Sequence, residues 1–183
     1  MHKDAALPIS HPVSVARLPQ RGMPVKLVAT DEERAALARQ FDLIEVKTFT
    51  ANLTVAKWRR DGVKVTGTVS ADIVQSCSIT LEPLDAIAEN EVDAVFVPEQ
   101  SKLARVNTDA NGEIVLDPDG PDAPETFAGD HLDLGQVAAE FFGLAIDPYP
   151  RKPGAELPPV LEIEREPAKV SPFAKLAVIK RNQ

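Results

Sequence analysis

The sequence has few residues that could cross-link the chain or hold a metal ion. Its 183 residues include one cysteine, Cys77, and three histidines. One cysteine excludes an intrachain disulfide, and neither it nor the histidines have the spacing of a zinc site. The glycines are scattered, which argues against a phosphate-binding loop, and no apolar run reaches the length of a membrane span. We therefore expect a cytoplasmic chain with no metal, no cofactor and no membrane contact.

Aromatic residues are also scarce, at 5% of the chain, although 44% of the residues are apolar. Valine, leucine, isoleucine and alanine must then fill the core of what the length predicts to be one domain. Proline, in contrast, occurs 16 times, mainly over residues 8–24, 118–124 and 148–172. Because proline interrupts helices and strands, these regions are predicted to be loops or arms.

The charge of the chain changes sign along its length. The net charge is −8, yet 17 acids and two bases lie between Asp72 and Asp147, and the remainder carries +7. An acidic centre repels a phosphate backbone and attracts basic proteins, so any RNA contact must use cations from the flanks. A more common reason for such acids is that they keep one face of a sheet soluble.

Apolar residues at helical spacing predict helices over residues 31–41 and 133–146, and a third helix is predicted over 172–180. Between residues 43 and 97 the period changes to two and β-branched residues are frequent, which is typical of strands. Capping-box spacing supports the first two helices: Thr30 with Glu33, and Asp133 with Gln136.

Asp61-Gly62 lies between two strand-like stretches and indicates a hairpin, since both residues tolerate the positive φ of a tight turn. Residues 73–81 are predicted to be strand throughout. These elements favour an α+β fold in which about three helices pack on an antiparallel sheet, with a partly closed barrel as an alternative.

The predicted organisation is an N-terminal arm over residues 1–22 and a single domain over residues 23–183. Within this domain, residues 98–130 are predicted to form an acidic loop insertion, and residues 147–170 a proline-rich segment.

The best candidate for an RNA contact is a tryptophan among cations in the predicted hairpin. Trp58 is preceded by Lys57 and followed by Arg59 and Arg60, and Lys64 is close in sequence. An aromatic ring flanked by cations is a common way for a sheet to hold unpaired bases. The alternative is a tryptophan that covers the edge of the core beside solvated arginines.

The proline-rich segment after the second predicted helix adds two further cations. Arg151 and Lys152 are adjacent there, and Tyr149 is the aromatic residue beside them. We predict that the two cations contribute to RNA binding and that Tyr149 contacts a partner. The alternative is an ordinary surface connection.

The carboxylates of Glu89, Glu91 and Asp93 alternate along a predicted strand and therefore share one face. They are candidates for binding a basic partner, although a solvated face is the more common arrangement. A two-metal catalytic site would need several acids that converge on one pocket. His131 is more typical of a surface residue than of a general base, and Cys77 is predicted to be a buried, unreactive core residue. No catalytic residue is predicted.

Three segments resemble those of a known family. LDLGQVAAEFFGLAIDPYPRKPG at residues 132–154, QSCSITLEP at 75–83 and SPFAKL at 171–176 resemble segments of the YceD-like family, in its alphaproteobacterial form. In order and spacing, the resemblance covers about residues 10–180. Where relatives have a second cysteine in the segment at 75–83, this chain has Thr80, and a lone cysteine cannot form a structural zinc site.

The resemblance implies a role in the accumulation of large-subunit ribosomal RNA, for a factor with no known catalytic site. We therefore expect a non-catalytic accessory factor, not an enzyme, in the synthesis, processing or accumulation of 23S-type RNA and in ribosome biogenesis. Its partner would be this RNA or its precursor, contacted directly or indirectly. One alternative is an acidic adaptor that holds a basic ribosomal protein. Another is a hydrolase whose site the sequence does not reveal.

Overall fold

The computed structural model describes residues 8–104 and 124–156. The chain divides into two units, residues 1–152 and 153–183, and the architecture below belongs to the first, since only residues 153–156 of the second are described. Neither helix in these residues is long and apolar enough to cross a bilayer. The elements, in chain order, are β1 (Pro12–Ser14), β2 (Met23–Val28), α1 (Asp31–Gln40), β3 (Glu45–Trp58), β4 (Gly62–Ser76), β5 (Pro83–Pro98), β6 (Glu125–Phe127), β7 (His131–Asp133) and α2 (Leu134–Ala145), with short 3-10 turns at Val15–Arg17 and Lys102–Ala104.

Five of the strands form one open sheet in the order β2-β3-β4-β5-β6. Neighbours are antiparallel except β5 and β6, which are parallel, and β1 pairs separately with β7. The predicted α+β class and the largely antiparallel sheet are confirmed. The partly closed barrel is wrong for the described part of the chain, because the three-residue β6 extends the sheet beyond β5 and does not return to β2.

The two helices predicted over 31–41 and 133–146 are confirmed as α1 and α2. The third, predicted over 172–180, lies outside the described residues, as does most of the predicted acidic loop at 98–130. The number of helices that the structure describes is therefore two, against the three that the periodicity predicts.

One face of the sheet carries the core. Side chains alternate along each strand, so every second residue of β3, β4 and β5 points towards the two helices. At the centre, the ring of Phe142 from α2 lies edge to face against Phe49 of β3, with 5.5 Å between ring centroids, and against Phe41, which ends α1, at 5.3 Å. The same core also contains the buried residues Leu37, Leu53, Val55, Val65, Val69, Ala71, Ile73, Ala88, Val92 and Ala138.

Part of the predicted N-terminal arm is built into this fold. The side chains of Ile9, Val13 and Leu18 are buried, and β1 pairs Val13 with Leu132 of β7. Gly135 is required where this segment crosses the start of α2, since a Cβ there would lie 2.7 Å from the carbonyl oxygen of Ile9. The first part of the described chain is therefore held against α2.

The two helices begin differently from each other. Thr30 and Glu33 form the predicted capping box of α1, in which the Glu33 carboxylate accepts the Thr30 backbone N–H at 2.8 Å. At α2 the cap is Asp133, but the predicted box is wrong, because the Gln136 side chain donates to Glu140 at 3.1 Å. Asp133 is also the last residue of β7, where it is paired with Pro12 of β1.

The carboxylate of Asp133 joins the N-terminal segment to α2. It accepts the backbone N–H groups of Gly135 at 2.9 Å and Gln136 at 3.2 Å, as a helix cap does. It also accepts the N–H of His11 at 2.8 Å and the hydroxyl of Ser10 at 2.6 Å. Burial opposes ionisation, yet these four hydrogen bonds outweigh it and lower the pKa of Asp133 below its ordinary value of 3.8.

We expect the stability of the fold to fall in acid partly because of Asp133. An acid whose pKa is depressed by folding stabilises the fold above its unfolded pKa, and this contribution is lost as the pH falls through the folded value. Asp133→Asn keeps an acceptor for the cap and should flatten the decline in Tm below about pH 4. Asp133→Ala should in addition cost about 1–2 kcal/mol at pH 7. Thermal unfolding followed between these pH values tests both, and equal acid slopes in wild type and Asp133→Asn would contradict the assignment.

The hairpin between β3 and β4 is confirmed, but its geometry differs from the prediction. Trp58 and Gly62 are paired, residues 59–61 form the loop, and the positive φ of 51° falls on Arg59. Gly62 is needed for space, since a Cβ there would lie 2.7 Å from Cε3 of the Trp58 ring. The strand predicted over 73–81 is also wrong beyond Ser76, because residues 77–82 turn the chain into β5.

Gly67 lies in the middle of β4, where the sheet leaves no room for a side chain. Its φ is +152°, and a Cβ would lie 2.0 Å from the carbonyl oxygen of Asn52 in β3. The residue pairs with Leu53 on one side and Val92 on the other, both of which are buried. Glycine here permits a close approach of two backbones inside the sheet.

Gly67→Ala should therefore destabilise the protein by more than about 3 kcal/mol, because a backbone atom must move to make room. Gly129→Ala is the matched control: its φ is +74°, but nothing lies within 4 Å of the added Cβ. The control carries only the cost of the backbone conformation, about 1 kcal/mol. Chemical denaturation measures both, and similar losses would show that the contact with Asn52 is unimportant.

Candidate functional site

The predicted hairpin cluster forms an exposed basic turn at one end of the sheet. Lys57, Arg59 and Arg60 are exposed, and Trp58 is half-buried because its ring packs over Gly62. The guanidinium carbon of Arg59 lies 4.3 Å from the centre of the Trp58 ring, a cation–π contact. The positive φ of Arg59 reverses the chain so that its side chain folds back onto this ring.

Lys64 is less available than the sequence suggests. It lies on the polar face of β4, and its ammonium group forms a salt bridge to Asp93 of β5 at 2.9 Å. The predicted basic and acidic groups therefore meet at this pair. Asp93 is correspondingly engaged, and the remaining predicted carboxylates, Glu89 and Glu91, project from the same polar face of β5.

Strand register adds cations to the basic turn that sequence proximity did not indicate. Arg21 precedes β2, which runs beside the last residues of β3, and Lys102 follows the end of β5, which pairs with the first residues of β4. Both are exposed at the same end of the sheet as Lys57. We call this group the basic end: Arg21, Lys57, Arg59, Arg60 and Lys102, with Asp61 and Glu99 as the nearby acids.

Arg151, Lys152 and Tyr149 are placed at the opposite end. They belong to the segment after α2, which contacts the turn between β4 and β5. The 15 residues of β4 separate that turn from the basic end by about 45 Å, at roughly 3.3 Å per residue. Hence the structure does not bring the two predicted groups of RNA-binding cations together.

The segment after α2 is docked by several polar contacts. The side-chain amide of Gln75 donates to the Asp147 carbonyl at 2.9 Å, and the Ser78 N–H donates to the Pro150 carbonyl at 2.8 Å. Lys152 forms a salt bridge to Glu82 at 2.8 Å. Tyr149 remains 71% exposed. The predicted proline-rich segment thus begins as a fixed strap, residues 147–152, rather than as a free arm.

Cys77 is the least expected residue of this strap. It is fully buried, as predicted, but it follows β4 and lies outside the main apolar core. Its Sγ accepts the backbone N–H of Lys152 at 3.3 Å. The Thr80 hydroxyl, then the N–H groups of Lys152, Thr80 and Ile79, lower the pKa of Cys77 to about 6, against the effect of burial. The predicted burial is confirmed, but the predicted place in the apolar core is wrong, because Cys77 lies among hydrogen-bond donors that favour the thiolate. That the thiol is unreactive stays a prediction.

The remaining residues considered for catalysis in the sequence are His131 and the acids that could hold a metal ion. His131 is exposed and contacts Asp130 at 2.6 Å. Within residues 8–104 and 124–156, no group of three or more His, Cys, Asp or Glu side chains is close enough together to hold a metal ion.

The Cys77 thiolate should make stability depend on pH in the alkaline direction. A thiol with a folded pKa of about 6 and an ordinary value of 9.0 contributes nothing below the lower value. Its contribution grows as the pH rises between the two and is complete above the higher one. The difference in unfolding free energy between wild type and Cys77→Ala should therefore widen from about pH 6 to about pH 9. A difference that is constant with pH would contradict a native thiolate.

The chain matches the model of one known protein family. The model of a family described as "Large ribosomal RNA subunit accumulation protein YceD" matches residues 65–180, which is more than half of the chain. The match includes β5, α2 and the strap, and it begins just after the basic turn. Searches of curated proteins and of solved structures gave no match.

Proposed function

Since the chain belongs to the YceD family, whose role is in the accumulation of large-subunit ribosomal RNA, we propose that it is a cytoplasmic, non-catalytic accessory factor that binds this RNA or its precursor directly. The contact surface in this proposal is the basic end. Residues 57–60 precede the part of the chain that the family model matches. The choice of this surface is therefore supported by the geometry of this chain and not by the family match.

The observation that carries the proposal is the contact between Arg59 and Trp58 in an exposed turn. Unpaired bases stack on guanidinium groups as well as on aromatic rings. Here the guanidinium lies 4.3 Å from the ring centre, and Gly62 lies so close to the indole that a Cβ there would be 2.7 Å from Cε3. The pair offers a preorganised stacking surface, because the cation–π contact already holds the guanidinium over the ring.

Electrostatics favours the same end of the sheet. In the described residues, Lys57, Arg59 and Arg60 have no salt-bridge partner, whereas Lys47, Lys64 and Lys152 are paired with acids. Phosphate contacts release counterions only when cations are available to replace them. The acidic face of β5 repels RNA, so an approaching RNA chain is directed to the basic end.

The proposal predicts how binding should respond to charge removal. Arg59→Gln/Arg60→Gln should weaken binding of single-stranded RNA and reduce the slope of log affinity against log salt by about 1.4, at roughly 0.7 per lost phosphate contact. Fluorescence polarisation over a salt series measures both quantities. The matched control, Lys26→Gln/Arg39→Gln, removes equal charge from exposed positions away from the basic end. Equal effects of the two double variants would rule out the basic end as the specific contact.

Replacement of Trp58 separates stacking from charge. Trp58→Ala should weaken RNA binding by about 1–3 kcal/mol at unchanged salt slope, because it removes the ring but no cation. Trp58→Phe should recover part of that loss. Circular dichroism of each variant checks that the hairpin remains folded. Wild-type affinity in Trp58→Ala would mean that the tryptophan only covers the core, and undetectable RNA binding by the wild type would mean that its role in RNA accumulation is indirect.

A further inference from the structure

Among the described residues, no strand lies beside the outer edge of β5 over most of its length. β4 pairs with residues 83–96 on one side, whereas on the other side β6 pairs only with Phe96, Val97 and Pro98. No backbone group elsewhere in the described residues bonds to the open part, residues 83–95. In such a strand, alternate N–H and C=O groups point away from the sheet and can pair with another chain.

The opposite edge of the sheet is protected in ways that β5 is not. β2 has only six residues, and it contains Pro24 in its interior, which lacks an N–H to donate to an added strand. β5 has 16 residues, and the proline residues within it are confined to its two ends. The longer edge is therefore the one that can accept an added strand.

The charges along the open edge are of one sign. Asp85, Glu89, Glu91 and Asp93 project from the polar face of β5, and Asp85 and Asp93 are neutralised by Lys47 and Lys64. In the part of the chain that is described, Glu89 and Glu91 form no salt bridge. They line a shallow depression of about 520 Å³ together with Thr68 and Asn90.

Two further acids stand near the end of this edge. Glu125 begins β6 opposite Phe96, and Glu140 lies on α2 close enough to act on its charge. Burial, and then the charge of Glu140, raise the pKa of Glu125.

We propose that the open edge of β5 accepts an extended, Lys/Arg-rich polypeptide segment as an added strand. Its backbone would pair with residues 83–95, and its alternate cationic side chains would face Glu89 and Glu91 at about 5 Å between Cβ atoms. The backbone edge requires a polypeptide, and the charge requires a basic one, since the same acids repel RNA. This inference does not rest on RNA binding at the basic end.

The test uses the full chain and two synthetic 12-residue peptides that alternate lysine and threonine. The second peptide carries N-methyl groups on its six central amides, so it keeps the charge but cannot form strand hydrogen bonds. By fluorescence polarisation at low salt, the first should bind and the second should bind at least about tenfold more weakly. Hydrogen exchange should show that the first peptide protects amides in residues 83–95.

Protein variants identify the surface. Glu89→Gln/Glu91→Gln should weaken binding of the unmethylated peptide about fivefold. The control, Glu32→Gln/Asp42→Asn, removes equal charge from exposed positions on α1 and in the loop after it, and should leave the affinity unchanged. Single-stranded RNA should not displace the peptide, which separates this result from the test of the basic end.

Three outcomes would overturn the proposal. Equal affinity for the two peptides would mean that charge alone attracts them. No binding to the full chain would mean that the acids of β5 only keep the edge soluble, or that the chain's own residues occupy it. Equal losses in the two double variants would place the peptide elsewhere.

Discussion

The packing of Phe142 between Phe41 and Phe49 is the contact on which the rest of the structure depends. The sheet presents mainly valine and alanine to the helices, and these side chains are too small to span the gap alone. The three rings fill it and join α2 to both α1 and β3. Because α2 begins at the Asp133 cap and leads into the strap, a change at Phe142 would reach the N-terminal segment and the surroundings of Cys77 as well.

Local patterns predicted the elements well and their association less well. The α1 capping box, the hairpin and the long β5 follow from residues that are close in sequence. Whether the sheet closes depends on which strands become neighbours, and no local pattern specifies that. The sequence predicts the positive φ of the hairpin at Asp61-Gly62, whereas the structure has it at Arg59. The sequence shows that a glycine is present, but it does not show whether the glycine is needed for its φ or, as at Gly62, for space.

The candidate surfaces show the same division. Lys57, Trp58, Arg59 and Arg60 are consecutive, so their proximity needed no fold. Arg151 and Lys152 were grouped with them on charge alone, and the length of β4 separates the two sets. Arg21 and Lys102 were missed because strand register, not sequence, brings them to the basic end.

Cys77 illustrates a different limit. Its position in a predicted strand and the lack of an adjacent histidine suggested a core residue. One of its hydrogen-bond donors, however, is the Lys152 N–H, 75 residues further along the chain. Thr80 could have been a signal, since a hydroxyl three residues after a cysteine at the end of a strand can reach the sulfur within one turn. The pKa of the thiol thus depends on tertiary structure that sequence patterns do not contain.

The pairing of β1 with β7 has a consequence for the order in which the protein can fold. Residues 12–14 find their partners only at 131–133, so β1 cannot pair until β7, more than 100 residues later, has been synthesised. Until α2 has emerged, Ile9, Val13 and Leu18 have no completed core to cover them. The central hairpins can form from local contacts much earlier. The N-terminal segment therefore docks late, as the closing step of folding rather than its start.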